Sequence, residues 1–195
     1  KYVDRNGDGV ISYEQDRGYV GAAAYPKFVG GLSFSGDWKG IDLSFLFQAG
    51  LGRDVALTGV YSGGIMDNTQ MTKPFYHGGN SPKYLVENSW REDNTNAEFP
   101  RLSIVQASSN NAYSSTFWYR SGDYLRLKNL QIGYTFPQKW MSRIGIDRLR
   151  IYFEGQNLWT VSELTKFNID PEQPGVSNGY YPQQRIFSFG VNLAF

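Results

Sequence analysis

Five segments of the chain alternate apolar and polar residues with a period of two, the pattern of strands with one apolar face. The first begins at Phe28 and continues through Gly30, Leu32 and Phe34. A Gly-containing turn at 37–41 joins it to the second, which makes the pair a hairpin. The pattern therefore predicts five long strands, marked by alternation within residues 28–34, 43–49, 130–136, 149–153 and 187–195.

The connections between these strands also alternate in length. Those at 37–41 and 137–147 are short or moderate, whereas those at 50–117 and 160–185 are long. Transmembrane β-barrels show this asymmetry, with short periplasmic turns and long extracellular loops. Because even the smallest such barrels need about eight strands, five strands indicate part of a larger barrel. The alternative is a soluble β-sandwich that binds carbohydrate and holds a structural calcium.

A barrel orientation can be assigned by placing the end of the last strand, at Phe195, on the periplasmic side. Both short connections then lie in the periplasm, and both long loops lie outside, together with the polar segment 1–27. The orientation predicts two groups of aromatic residues at the two membrane interfaces. One group is Trp38, Tyr134, Phe136, Trp140 and Phe195, and the other is Phe28, Trp159 and Phe187.

The strand that begins at Tyr124 changes phase along its length. Leu125 and Leu127 share one face, whereas Leu130 and Ile132 fall on the other, so we predict a β-bulge near residues 128–129. Arg126 and Lys128 then lie opposite the first pair of leucines. If this part of the strand rises above the bilayer, the two charges need no special function.

Composition removes most catalytic machinery. The chain has 16% aromatic residues, no Cys and a single His, His77. Thiolate chemistry, Cys/His zinc sites and any Ser-His-Asp triad not built on His77 are therefore excluded. Lys and Arg total 19 against 18 Asp and Glu, with no basic stripe, so nucleic acid is not an expected partner. Most familiar catalytic machinery is therefore missing, and we predict that the chain is not an enzyme.

The sharpest local motif places oxygen ligands at alternate positions around a Gly turn, as calcium loops do. Where such loops carry an acidic residue at the twelfth position, this chain has Gln15, followed by Asp16. A Gly- and Asx-stabilised loop without metal is the alternative. The candidate calcium ligands are Asp4, Asn6, Asp8, Val10, Ser12 and Asp16.

The long loop also carries candidate contact residues for a substrate or a partner protein. Trp90, Trp118 and Tyr119 could stack on a sugar or on a partner's side chain, although packing among the loops is the alternative role. Asp93 and Asn94 could hydrogen-bond a ligand. His77 is expected to be an exposed or stacked loop residue.

Several short motifs, in a fixed order along nearly the whole chain, carry a resemblance to a known family. The motifs are DRNGDGVI at 4–11, WREDN at 90–94 leading to FPRL at 99–102, GDYLRLKN at 122–129, GYTFP at 133–137, GQNL at 155–158, DPE at 170–172, YP at 181–182 and SFG at 188–190. By these motifs the chain resembles the C-terminal part of the SusC/RagA-like TonB-dependent outer-membrane transporters.

The resemblance implies a barrel of about 22 strands with a plugged lumen, located in the bacterial outer membrane and surrounded by its lipid. It also implies energised nutrient uptake of a glycan or peptide, a SusD-like surface lipoprotein as lid, and coupling to TonB through an N-terminal part. The chain's final residues resemble the signal read by the barrel assembly machinery. In this sequence that signal comprises Ser188, Gly190, Leu193 and Phe195.

Overall fold

A computed structural model describes residues 2–19, 23–57, 81–102, 115–174 and 183–195. Five long antiparallel strands, at 28–38, 41–51, 124–135, 148–162 and 186–194, form one sheet in the order in which they follow along the chain. Two short strands, at 54–56 and 119–121, form a separate pair. His77 and the motif at 181–182 lie outside the described residues. The elements are β1 (Phe28–Trp38), β2 (Ile41–Leu51), β3 (Asp54–Ala56), α1 (Lys83–Glu87), β4 (Tyr119–Ser121), β5 (Tyr124–Thr135), α2 (Gln138–Met141), β6 (Arg148–Ser162) and β7 (Ile186–Ala194), with 3₁₀ turns at Thr116–Trp118, Ser142–Ile144 and Glu163–Phe167.

The turn between β1 and β2 is tight because two residues adopt left-handed backbone conformations. Lys39 has φ of 49° and Gly40 has φ of 88°, as the two-residue hairpin turns with matching twist require. A Cβ at position 40 would lie 2.6 Å from the carbonyl oxygen of Thr135. This glycine therefore lets the turn approach the end of β5, where Thr135 N–H donates to Gly40 O at 2.7 Å.

The sheet has one apolar and one polar face. Phe34, Phe45 and Leu130 are directly paired across β1, β2 and β5 on the apolar face, and large side chains of this face are exposed. The polar face includes Asp42, which accepts from Arg150 Nε at 2.9 Å. Within the described residues no second sheet covers the apolar face, which argues against the β-sandwich alternative. The exposed apolar residues include Phe28, Leu32, Trp38, Ile132, Ile151, Trp159, Phe187, Phe189, Val191 and Leu193.

The predicted bulge in β5 is confirmed. The pairing of β5 with β6 shifts register between Leu127 and Asn129, and the pairing with β2 shifts between Leu46 and Phe47. β6 carries its own irregularity at Asn157, whose φ is 52°. The bulge reconciles the two leucine phases of β5 and keeps its polar residues on one face.

The long connection predicted as aperiodic contains ordered elements, which the sequence analysis missed. β3, α1 and β4 fold together with the 3₁₀ turn that follows β6. We call residues 54–57, 81–102, 115–121 and 163–174 the loop cap. Its buried cluster of apolar side chains consists of Val55, Leu57, Leu85, Phe99, Trp118, Leu164, Phe167 and Ile169.

No helix in the described part of the chain is long and apolar enough to cross a membrane.

Candidate binding cleft beside the loop cap

The loop cap is tied to the polar face of the sheet by a buried ion cluster. Arg126 of β5 is 3% exposed, and its Nη2 donates to both carboxylate oxygens of Asp170 at 3.0 Å. Its Nη1 lies 3.2 Å from Glu172 Oε1, and Lys128 Nζ donates to the same carboxylate at 3.1 Å. Thr160 Oγ1 accepts from Arg126 Nε at 2.9 Å. The cluster fixes the segment after β6 against β5.

The sequence analysis was wrong to assign no particular role to these two basic residues. A signal was present: Arg126 and Lys128 are two residues apart, and so are Asp170 and Glu172. Only the folded chain shows that the loop after β6 returns to the polar face, where Asp170 contacts Arg126. Matching i, i+2 spacing of opposite charges does not by itself identify a pair.

A second network lies within the cap and centres on Glu98. Its carboxylate accepts from Tyr84 Oη at 2.8 Å, Arg120 Nη2 at 3.2 Å and Lys166 Nζ at 3.1 Å. Burial acts to raise the pKa of Glu98, but these three hydrogen bonds outweigh it and hold the pKa below its ordinary value. The network links α1, β4 and the 3₁₀ turn at Glu163–Phe167.

The calcium-like loop, residues 2–19, is organised by side chains that accept backbone N–H groups. Asp4 accepts from Gly7 N at 2.7 Å and Gly9 N at 2.8 Å, and Asp8 accepts from Val10 N at 2.7 Å. Left-handed φ values of 76° and 80° at the two glycines permit the turn. These contacts are Asx-type turns, which a loop of this composition forms with or without a metal.

Asp16 closes the same loop. Its carboxylate accepts from Arg5 N at 2.7 Å and from Ser12 N at 2.6 Å. These backbone hydrogen bonds hold the pKa of Asp16 below its ordinary value. Gln15, at the twelfth position, accepts from Asn6 Nδ2 at 3.3 Å, so Asn6 contacts Gln15. Among the described residues no three His, Cys, Asp or Glu side chains are grouped as a metal site.

A cleft of about 980 Å³ lies between the calcium-like loop and the cap. One wall is formed by residues 2, 3, 5, 11–13 and 16–19, and the other by residues 90, 97–101 and 115–118. Three arginines line it, Arg5, Arg17 and Arg101, together with the carboxylates of Asp16 and Glu98. Its volume is at the upper end of ordinary small-molecule sites.

The predicted contact residues are placed differently with respect to this cleft. Both tryptophans line the cleft, but Trp90 is 37% exposed, whereas Trp118 is 1% exposed. Asp93 accepts from Arg91 Nε at 3.2 Å, and Asn94 Nδ2 donates to the carbonyl oxygen of Glu87. Tyr119 lies in β4 and pairs with Ala56. Of the five residues, only Trp90 offers an exposed ring surface to the cleft.

The residues of the predicted assembly signal lie at the end of the sheet. Ser188, Gly190 and Leu193 belong to β7, paired with Glu154, Tyr152 and Leu149 of β6. Phe195 follows the strand and is exposed. Leu193 lies on the apolar face, and Ser188 and Gly190 lie on the polar face.

Known relatives match the chain over its whole length. TonB-dependent receptor P3 of Formosa agariphila is 29% identical over an alignment of 207 positions that covers 100% of the chain. TonB-dependent receptor SusC of Bacteroides thetaiotaomicron is 26% identical over 100% of the chain. The RagAB peptide importer in its open-open state superposes with a TM-score of 0.60 at 25% identity, again over 100% of the chain. The chain is therefore similar over its whole length to SusC/RagA-like TonB-dependent transporters, as its sequence motifs predicted.

The segment spans about a fifth of its relatives: 19% of receptor P3, 17% of SusC and 20% of the RagAB chain. No protein-family model matches it. The similarity confirms the predicted fold class, since TonB-dependent receptors are outer-membrane β-barrels and five strands form only part of one. It also confirms that the chain is not an enzyme, because its relatives are receptors.

Proposed function

We propose that the whole transporter containing this chain imports a nutrient across the outer membrane, energised through TonB. The segment supplies barrel wall and part of the extracellular vestibule. The observation that carries this proposal is a single sheet with an exposed apolar face, whose polar face holds a folded cap at one end. An apolar outer face suits lipid, and a polar inner face suits a plugged lumen.

We propose a glycan or a peptide as cargo and a SusD-like lipoprotein as lid. RagAB is described as a peptide importer with open-open and closed-closed states, and SusC is among the relatives. The exposed ring of Trp90 and the polar side chains of Asp93 and Asn94 belong to the loop cap, where cargo or lid would arrive. Tyr119 and Trp118 support this surface from within.

The first experiment is to isolate the protein from outer membranes and identify what accompanies it. We expect resistance to salt and carbonate, extraction by detergent, a denatured mass several times 22.1 kDa and a copurifying lipoprotein. Deletion of the receptor or of TonB should abolish growth on the same glycan or peptide. A soluble monomer of 22.1 kDa, or growth on every tested nutrient after both deletions, would contradict the proposal.

We propose further that Ser188, Gly190, Leu193 and Phe195 are read by the barrel assembly machinery. Phe195→Ser should lower the surface level of the transporter severalfold, because an aromatic end residue is lost from the signal. Ala194→Ser is the matched control, since it introduces the same side chain at the neighbouring position. Equal surface levels for the two variants would count against the signal.

We propose that the calcium-like loop can take a calcium ion through Asp4, Asn6, Asp8, Val10, Ser12 and Asp16. Support comes from the loop's two left-handed glycines and the alternation of its oxygen-bearing side chains. Adding a calcium chelator to the whole transporter should speed hydrogen exchange in residues 2–19. Asp8→Asn should remove the chelator's effect, whereas Glu14→Gln, whose carboxylate pairs only weakly with Arg17 at 3.7 Å, should keep it. Exchange that is identical with and without chelator would rule out the metal.

A further inference from the structure

We infer that the cleft between the calcium-like loop and the loop cap binds an anionic oligosaccharide, whose sugar rings carry carboxylate or sulfate groups. The inference rests on the proposed import function and names the class of its cargo. It depends on three features of the cleft: arginine side chains without close salt bridges, exposed ring surface, and two backbone donors of one wall that are already taken.

Neither acid of the cleft forms a salt bridge with an arginine of the cleft in the described part of the chain. Asp16 is occupied by the backbone N–H groups of Arg5 and Ser12. Glu98 is occupied by Tyr84, Arg120 and Lys166. Both carboxylates are therefore held in internal contacts. The charge of Arg5 attracts Asp16 but its guanidinium does not reach salt-bridge distance.

Unlike these two carboxylates, the arginine side chains of the cleft are available to bind a ligand. Among the described residues, neither Arg5 nor Arg101 has a carboxylate within ion-pair distance. Arg17 has an exposed contact with Glu14 at 3.7 Å and lies over the ring of Tyr13, 5.1 Å from its centroid. Guanidinium groups bind carboxylate, sulfate and phosphate oxygens through two parallel N–H groups. The cleft thus presents donors of the geometry that an anionic substituent needs.

The position of Arg5 depends on a neighbouring glycine. A Cβ at Gly18 would lie 2.7 Å from Arg5 Cζ and 2.8 Å from its Nη1. The guanidinium therefore rests against the backbone of residue 18, in space that any other side chain would fill. This gives a way to move the charge without removing it.

Ring surfaces complete the site. Trp90 and Phe117 both line the cleft and are exposed, and they stand on the wall opposite Arg5. Aromatic rings offer flat apolar surfaces, and the C–H faces of sugar rings are their natural counterparts. Arginines on both walls, with aromatic rings on the wall that carries Arg101, suit a ligand that is both ring-shaped and charged.

An extended peptide fits this cleft less well. Peptide recognition by strand addition depends on free main-chain donors and acceptors. In the calcium-like loop the N–H groups of Arg5, Gly7, Gly9, Val10 and Ser12 are all taken by aspartate side chains. Of these residues, Arg5 and Ser12 line the cleft, so two backbone donors of this wall are taken and the arginine side chains are the charged donors that remain.

The test measures binding to the whole detergent-purified transporter with four probes: hexagalacturonate, a heparin hexasaccharide, neutral maltohexaose and hexaglutamate. We expect at least one anionic oligosaccharide to bind, with affinity that falls as salt is raised. The variant Arg5→Gln/Arg101→Gln should weaken it by about tenfold or more, the effect of losing hydrogen bonds to a charged group. Gly18→Ala should give a smaller loss at unchanged net charge. Lys83→Gln, which removes an exposed positive charge from the cap outside the cleft, should bind as the unaltered protein does.

Preference for hexagalacturonate would identify carboxylate as the anionic group, and preference for the heparin hexasaccharide would identify sulfate. The inference is overturned if maltohexaose or hexaglutamate binds as tightly as both anionic sugars, or if the arginine variant binds unchanged. Because binding in detergent needs neither TonB nor a membrane, the two hypotheses can fail separately. TonB-dependent uptake of a neutral nutrient without binding of the anionic sugars would overturn this inference alone, whereas arginine-dependent binding in a strain that shows no uptake would overturn the import function alone.

Discussion

The sheet and the loop cap use the same kinds of aromatic side chain in opposite environments. On the sheet, Trp159 is 48% exposed and Phe189 is 83% exposed. In the cap, Trp118 and Phe99 are each 1% exposed and lie with ring centroids 6.1 Å apart. The cap buries its rings within one chain, whereas the sheet leaves them on a face that nothing in the described residues covers.

This contrast indicates that the two regions face different solvents, water around the cap and lipid around the sheet. A cap that extends into water must bury apolar surface to be stable, at about 25 cal/mol per Å². A barrel wall gains nothing by hiding such surface, because lipid is as apolar as the side chains themselves. Aromatic content alone therefore does not show which region forms a core. What shows it is whether an aromatic residue packs against a second layer of side chains or lies on an open face.

The strongest test of the contrast compares one tryptophan from each region. Trp118→Ala removes the stacking with Phe99 and the edge contact with Phe117 at 4.8 Å, and should destabilise the cap by about 3 to 5 kcal/mol. Hydrogen exchange in residues 81–102 of the membrane-embedded transporter should rise accordingly. Trp159→Ala is the matched control and should leave cap exchange unchanged. If both variants disturb the cap equally, the two regions do not differ as described.

The next largest effect concerns the ion cluster that joins the two regions. Arg126→Met leaves the carboxylates of Asp170 and Glu172 without their main partner in a largely buried setting. Removing one member of such a group costs about 3 kcal/mol. We expect the segment 163–174 to become sensitive to protease added outside the cell, while the sheet stays assembled.

A second variant separates charge from packing in that cluster. Replacing Arg126 and Asp170 together by Met and Leu should recover part of the lost protease resistance, because fewer unpaired charges remain. Equal sensitivity of the single and double variants would show that the guanidinium acts by its size and not by its charge.

The two regions also differ in how far the sequence predicts them. Period-two alternation predicted all five long strands and the bulge in β5, because one apolar face leaves a regular mark along each strand. The cap left no such mark: β3 and β4 have three residues each, and α1 has five. Trp118 and Arg126 have partners far along the chain, such as Phe99 and Asp170, and only the fold brings these together. The sequence did not predict the cleft either, although it identified Trp90 as a candidate contact residue.

The smallest of the three effects is the pH dependence of the cap network around Glu98. Its folded-state pKa lies below the ordinary value, so the stabilisation is present above the unfolded pKa of about 4.3 and is lost as the pH falls through the folded one. At pH 7, Glu98→Gln should destabilise the cap by about 1.5 kcal/mol, the low end for a hydrogen bond to a charged group.

The measurement is hydrogen exchange at the amide of Asn88, which donates to Tyr84 O at 3.0 Å, corrected for the intrinsic effect of pH. Protection in the unaltered transporter should stay nearly constant above the unfolded pKa of about 4.3 and fall as the pH is lowered below it. Protection in Glu98→Gln should start lower and change less, so that the two converge in acid. Glu87→Gln is the control, because that carboxylate has only an exposed contact with Lys83 at 3.5 Å. Parallel curves for the unaltered protein and Glu98→Gln would show that the charge of Glu98 does not stabilise the cap, and that apolar packing alone distinguishes it from the sheet.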